Sequence, residues 1–252
     1  MKEILLSEGL PPLQTVVGIG VFDGLHLAHR RLLSQVTELA KEKGLKSGVL
    51  TFHPPPPTFF QRKDYRLITT LEEKISLLYK LKLDFVFVLD FTEEVRSLTP
   101  REFVEKILIG KVKAKAVVVG ENFSFGRNRE GNVKLLETLG VEFGFQVIKI
   151  PLLRLDSGEV VSSSLIRRLL QEGRIKEANK LLCAPFSLKF QKGNPPDLFF
   201  LKEEGKVVPP SALYLVSLNP GGVIREIHFQ NPLTLRDLQE KEVTISFLED
   251  RF

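Results

Sequence analysis

The stretch that most constrains the fold is residues 15–30, Thr-Val-Val-Gly-Ile-Gly-Val-Phe-Asp-Gly-Leu-His-Leu-Ala-His-Arg. Val16 to Phe22 is a β-branched and apolar run, which predicts a strand buried on both faces. Asp23-Gly24 then predicts a turn. From Leu25 the spacing becomes helical, through Leu32, Leu33, Val36, Leu39 and Ala40, to about Lys43, with Gly44 as the C-terminal cap. His26 and His29 stand three apart at the helix start and so share one face. A helix N-terminus offers free N–H groups and partial positive charge, which suits phosphate, and two imidazoles add donors aimed at the same anion. As mere caps or surface residues, the histidines would fall on this strand–turn–helix junction by coincidence. Metal ligation lacks a nearby third ligand, because the turn takes up Asp23.

The strand–helix pattern recurs. Ser47–Phe52, Asp84–Leu89, Lys115–Val119 and Phe145–Ile150 read as further strands. Between them Thr70-Leu71-Glu72-Glu73 and Thr99-Pro100-Arg101-Glu102 read as helix starts with capping boxes, the second helix ending at Gly110. The alternation predicts a doubly wound parallel α/β sheet. From Ala184 helical periodicity stops. Four β-like pieces (186–190, 213–218, 223–229 and 243–248) separated by Asn/Pro/Gly clusters predict a small antiparallel unit. The expected domains are therefore residues 1–184 and 185–252.

Lys+Arg exceed Asp+Glu by 36 − 31 = 5. That mild excess fits an anionic ligand, and its dispersal does not suit a nucleic-acid binder. Cys183 is the sole cysteine, so no internal disulfide forms and a reducing cytoplasm is expected. The first residues lack a signal-peptide pattern, and no apolar run spans a bilayer, so no membrane partner is expected. Oligomeric state is not legible.

Three loops carry further chemistry. Thr51-Phe52-His53-Pro54-Pro55-Pro56-Pro57 takes the chain out of the sheet, since proline does not continue a central strand. Phe59, Phe60 and Tyr65 follow, as loop packing or as an aromatic platform. Gly120-Glu121-Asn122-Phe123-Ser124-Phe125-Gly126-Arg127 follows the carboxyl end of a strand, where open α/β sheets place ligands. Val161-Ser162-Ser163-Ser164-Leu165-Ile166-Arg167 starts a helix with three hydroxyls where one would cap it, and with Arg167 one turn in. That is a better anion site than a cap needs.

Together these segments resemble the FMN adenylyltransferase half of the bacterial bifunctional riboflavin kinase/FAD synthetase family, over about residues 10–185. Phe22-Asp23-Gly24-Leu25-His26-Leu27-Ala28-His29 resembles its Phe-Asp-Gly-x-His-x-Gly-His signature, with Ala28 for Gly. His53 replaces an Asp in the Pro-rich loop, and Asn122 another Asp in the Gly-x-Asp-Phe-x-Phe-Gly loop. Ser164 stands for Thr in Ser-Ser-Thr-x-Ile-Arg. The resemblance implies a Rossmann-like nucleotidyltransferase domain that transfers AMP from ATP to FMN, with Mg²⁺ accompanying ATP and FMN and ATP as small-molecule substrates. It implies His26 and His29 as catalytic residues. Gly20, Phe22, Asp23, Gly24, Ser162, Ser163, Ser164 and Arg167 would contact ATP; Phe52, Pro54, Pro56, Asn122, Phe123, Phe125 and Gly126 would contact FMN. No protein metal ligand is implied. The C-terminal unit reads as a shortened remnant of the family's riboflavin kinase barrel. Glu226 resembles its base, but Asp197-Leu198-Phe199 stands where that kinase has Thr-Ala-Asn.

Overall fold

The apolar runs pair as parallel strands in the computed structural model, which describes residues 2–5, 13–60, 65–182, 184–203, 205–236 and 238–251. Cys183 lies outside them. Contacts divide the chain into two units, Met1–Tyr65 with Leu71–Val160, and Arg66–Thr70 with Val161–Phe252.

The first unit comprises β1 (Lys2–Leu5), β2 (Thr15–Ile19), α1 (Leu27–Lys43), β3 (Lys46–His53), α2 (Pro56–Phe59), α3 (Leu71–Tyr79), β4 (Phe85–Asp90), α4 (Glu93–Ser97), α5 (Pro100–Glu102), a π-helix (Phe103–Lys111), β5 (Ala114–Gly120), β6 (Ser124–Phe125), a 3₁₀ turn (Arg127–Arg129), β7 (Gly131–Asn132), α6 (Val133–Phe143) and β8 (Gln146–Ile150). Its main sheet has the order β1-β4-β3-β2-β5-β8, all parallel. Five of these strands are the predicted ones. The sixth, β1, is short and opens with two charged residues, Lys2 and Glu3, which leave little hydrophobic signal.

Alternation along each strand builds a core on either face. Val17, Ile19, Leu50, Phe87, Val117 and Val119 pack with the π-helix and α6. Val16, Val49, Val86, Val88, Ala116 and Val118 pack with α1 and with Leu78 of α3. The two-sided burial explains why the strands read as continuous apolar runs.

Two local expectations are corrected. The first strand stops at Ile19 rather than Phe22, and Phe22 lies in the left-handed region at φ 52°. The helix after Thr99 has its capping box, but from Phe103 it widens into a π-helix that runs to Lys111, closed by Val112 N–H to the Ile107 carbonyl at 2.8 Å. Phe103, Val104, Ile107 and Leu108 are its buried residues. An α-helix would bury that spacing as well, so the residue pattern does not distinguish the two.

The second unit holds α7 (Ser163–Gln171), α8 (Ile175–Leu182), β9 (Ser187–Lys192), β10 (Leu198–Leu201), β11 (Ala212–Asn219), β12 (Val223–Phe229), β13 (Leu233–Thr234) and β14 (Glu242–Arg251). Six antiparallel strands, not four, form one sheet ordered β12-β11-β14-β9-β10-β13, with β12 and β13 as its edges. The two additional strands, β10 and β13, are four and two residues long, too short for a periodic signal. Phe190, Phe199, Tyr214, Phe229 and Phe247 fill the core. Asn179 ties α8 to the sheet: its amide donates to the Phe247 carbonyl and its oxygen accepts from Phe186 N–H, each at 2.8 Å. The division by contact therefore falls at Val160/Val161, upstream of the expected residue 184: α8 packs on β14 and α7 packs on α8. Leu67 of the segment Arg66–Thr70 adds a one-residue bridge to Lys206.

Candidate active site

In the first unit, β2 runs on to β3 and β4 on one side, and the chain then crosses to β5 and β8 on the other. The strand order reverses beside β2, so its carboxyl end lies at the switch point where such sheets bind ligands. Gly20 closes the strand, its N–H donating to the Leu50 carbonyl at 3.1 Å. The chain then turns through Phe22 (φ 52°), Gly24 (φ 80°) and Leu25 (φ 38°). Gly24 meets that conformation without steric penalty. Phe22 and Leu25 do not, so the surrounding structure must hold them there.

That turn delivers the histidines. His26 is the N-cap of α1 and is 3 % exposed; its Nδ1 accepts the His29 backbone N–H at 3.4 Å. A neutral His26 ring then carries its proton on Nε2. The two imidazoles stack with centroids 3.6 Å apart at 19°. Phe22 is fully buried and packs edge-on against His29 at 5.1 Å, so its side chain supports the imidazole. Burial holds the His29 pKa well below its usual value, with His26 and Lys74 acting in the same direction. His29 is thus neutral near pH 7. Its Nδ1 is buried and has no hydrogen-bond partner among the described residues. An unmet buried ring nitrogen is costly, and a ligand group can satisfy it.

Beneath the turn lies a polar group that sequence reading missed. Lys74 of α3 is only 2 % exposed. Its Nζ donates to the Val21 carbonyl at 3.0 Å and to Thr51 Oγ1 at 3.2 Å, while Thr51 Oγ1 donates to the same carbonyl at 3.1 Å. Burial lowers the Lys74 pKa to about 8, against the opposing charge of Asp23. Asp23 is itself buried, 2 % exposed, with Oδ2 3.5 Å from the Tyr65 hydroxyl. The helical spacing places Lys74 one residue before Ile75 but does not reveal that it points inward.

Adjoining β2 is an aromatic cavity of about 430 Å³. Five of the seven expected FMN contacts line it: Phe52, Pro56, Phe123, Phe125 and Gly126. Pro54 and Asn122 are not among its lining residues; Asn122 is exposed in the turn after β5. The structure adds Gly20, Val21, Phe60, Phe91, Val95, Arg96, Phe103, Ser124 and Arg129, among others. Phe60 meets Phe59 and Phe91 edge-on, and Arg96 lies 5.5 Å over the Phe60 ring, so this aromatic packs against its neighbours while it lines the cavity. Phe123 and Phe125 stack at 5.5 Å and 11°. Gly126 has φ 72°, and a Cβ there would stand 2.8 Å from Pro100 N, so this glycine seats the loop against the start of α5.

The remaining expected ATP contacts lie on α7, in the second unit. Ser162 is its N-cap and accepts Leu165 N–H at 3.2 Å, which engages that hydroxyl. Ser163 is half-buried and Ser164 is exposed. Arg167 Nε donates to the Arg66 carbonyl at 2.6 Å. Among the described residues no group of three His, Cys, Asp or Glu side chains could hold a metal, and no helix is long and apolar enough to cross a membrane.

Comparison with known proteins places this geometry. Residues 11–165 match the family described as FAD synthetase. Bifunctional riboflavin kinase/FMN adenylyltransferases are similar: that of Buchnera aphidicola (from Schizaphis graminum) is 36 % identical over 69 % of this chain and 56 % of its own length. The Escherichia coli K12 protein is 32 % identical over 69 % and 55 %, and the Bacillus subtilis protein 31 % over 84 % and 69 %. The chain thus spans just over half the length of the first of these relatives. A Streptococcus pneumoniae structure described as a macrolide-efflux protein shares the fold, with TM-score 0.82 and 22 % identity over 99 % of this chain and 90 % of that one. On the family match, which covers more than half of its residues, the chain belongs to the FAD synthetase family.

Proposed function

We propose that this protein is an FMN adenylyltransferase, which transfers AMP from ATP to FMN to give FAD and pyrophosphate. The observation that carries the reading is the stacked His26–His29 pair at the start of α1, beside an aromatic cavity, both built on the carboxyl end of β2. The cavity suits a planar flavin, with Phe60, Phe123 and Phe125 as its faces. An FMN phosphate oxygen attacks the α-phosphorus of ATP as the bond to the β-phosphate oxygen breaks and pyrophosphate leaves. No covalent intermediate is needed, because positioning and charge stabilisation carry such transfers. The neutral imidazole of His29 donates a hydrogen bond to the α-phosphate as charge builds there. Ser163, Ser164 and Arg167 take the leaving pyrophosphate; this assignment rests on their motif and on the N–H groups at the α7 N-terminus. Mg²⁺ accompanying ATP would be held chiefly by the phosphates and water and would offset their charge. The reaction belongs in the cytoplasm and needs no nucleic acid or membrane.

The test is pyrophosphate release with FAD formation from ATP, Mg²⁺ and FMN. Release that depends on FMN and matches FAD one to one is expected. Release with another phosphorylated acceptor but not with FMN would move the protein to a different nucleotidyltransferase specificity.

A further inference from the structure

We propose that Lys74 is a positioning residue for the histidine pair, its ammonium fixing the Val21 carbonyl where the chain leaves β2 and so fixing the turn that carries both imidazoles. The proposal rests on the adenylyltransferase reading for its catalytic consequence, but its geometry stands independently. Val21 immediately precedes Phe22, whose left-handed backbone is maintained only if its neighbours are held. The Val21 carbonyl receives two donors, Lys74 Nζ at 3.0 Å and Thr51 Oγ1 at 3.1 Å, and Nζ also donates to Thr51 Oγ1 at 3.2 Å. The closed triangle joins three elements: the turn, β3 and α3. The ring of Phe22, the next residue, supports His29. A shift at Val21 is therefore passed directly to the catalytic ring.

A purely structural plug does not require an ammonium here. Thr51 alone satisfies the Val21 carbonyl, and a methionine has a similar length without the desolvation of a buried charge. What lysine adds is a positive charge behind the imidazoles. The groups that feel it are His29 at the start of α1 and Asp23 in the turn; His26 acts on His29 in the same direction, and the Tyr65 hydroxyl lies beside Asp23. The charge opposes protonation of His29, so the ring meets the triphosphate as a neutral, oriented donor.

Lys74→Met tests this in the full chain. The adenylyl-transfer kcat should fall at least tenfold, with KM for ATP within about twofold, because orientation is lost and not ground-state binding. The His29 ring titration, followed by NMR without substrates, should move up once the positive charge is gone. A wild-type kcat, or an unshifted His29 titration, overturns the proposal. If the variant does not fold, the wild-type protein supplies the answer: His29 ring signals should show a second inflection near pH 8 as Lys74 loses its proton, and their absence overturns the coupling. These ring titrations need no turnover. A wild-type protein inactive on FMN would refute the adenylyltransferase reading and leave the Lys74–His29 coupling standing or falling by NMR.

Discussion

Among the described residues each unit buries one lysine, and the two are satisfied in opposite ways. Lys206, in the antiparallel unit, has a side chain 1 % exposed; its Nζ lies 3.3 Å from Glu203 Oε2, donates to the Ser187 carbonyl at 2.9 Å and sits 5.4 Å from the Phe186 ring centre. A carboxylate, a carbonyl and a ring face answer that charge. Lys74, in the parallel unit, donates to two neutral oxygens, and its pKa drops to about 8. The same unit leaves His29 Nδ1 buried without a partner among the described residues. The antiparallel unit directs its charges to its own scaffold, including Arg251 to Glu226 at 3.4 Å and the Lys176 N–H to Asp250 at 3.0 Å. Compensated burial marks a framework, whereas burial left incomplete marks groups held for a ligand.

Breaking the compensated pair should have the largest effect. Lys206→Met leaves Glu203 buried with Lys189 at 3.8 Å, and should lower stability by about 3 kcal/mol in a denaturant titration while the folded fraction keeps its kcat. A loss of kcat without a loss of stability would erase the distinction between the two lysines.

His29→Ala reverses that pattern. The rate of adenylyl transfer should fall roughly 10²–10³-fold, as for loss of one preorganised donor, with the fold intact by circular dichroism. Near-normal turnover in a folded variant would remove His29 from the catalytic step.

Lys74 provides a stability test of opposite sign to Lys206. Its folded pKa, about 8, lies below the ordinary 10.5, so burial disfavours the ammonium throughout the range below 8. Wild-type stability should rise as pH climbs from 8 towards 10.5, where the unfolded chain still holds the proton and the folded one does not. Lys74→Met should lack that rise and gain about 1–2 kcal/mol at pH 7, the relief of desolvation less the two hydrogen bonds lost. Paired denaturant titrations at pH 7 and pH 10 measure both. Destabilisation at pH 7 would make Lys74 an ordinary framework residue.

A smaller change is expected in the aromatic cavity. Phe123→Ala removes one ring of the Phe123–Phe125 stack and should raise KM for FMN up to about tenfold, with KM for ATP unaltered, since such ring contacts contribute about 0.5–1.5 kcal/mol. Steady-state kinetics varying each substrate in turn would show whether the loss is confined to the flavin.

The antiparallel unit should show no effect of its own on flavin chemistry. Riboflavin, ATP and Mg²⁺ should yield no FMN, and Glu226→Gln should leave adenylyl transfer unchanged. Glu226 is exposed and paired with Arg251, and Phe199 is fully buried in the core of the sheet. FMN accumulating above background would show a working kinase in a sheet that has kept its edges open.

Much of the parallel unit was legible because periodicity survives translation into structure. Five strands, the long helix from Leu27 to Lys43, and the His26–His29 spacing all follow from nearest-neighbour patterns along the chain. Five of the seven residues expected around the flavin line one cavity because they sit at or shortly after the carboxyl ends of the parallel strands β3 and β5. The misses share a cause. β1, β10 and β13 are too short to show a period, and the buried spacing of the π-helix fits an α-helix as well. Helices 163–182 read as the close of the first domain, but Asn179 and Lys176 bond to the antiparallel sheet.

The amino-acid sequence by itself determined which segments become strands and helices, and it placed two imidazoles on one face at a helix start, because those properties depend on residues a few positions apart. Only the tertiary structure decided that Phe22 turns back under His29, that Phe60 and Phe91 join a cavity with Phe123 and Phe125, and that Lys74 points inward to the Val21 carbonyl. Those contacts join residues 7 to 65 positions apart. Burial, and the pKa changes that burial causes, arise from what the folded chain packs around a group, and no local pattern encodes that surrounding.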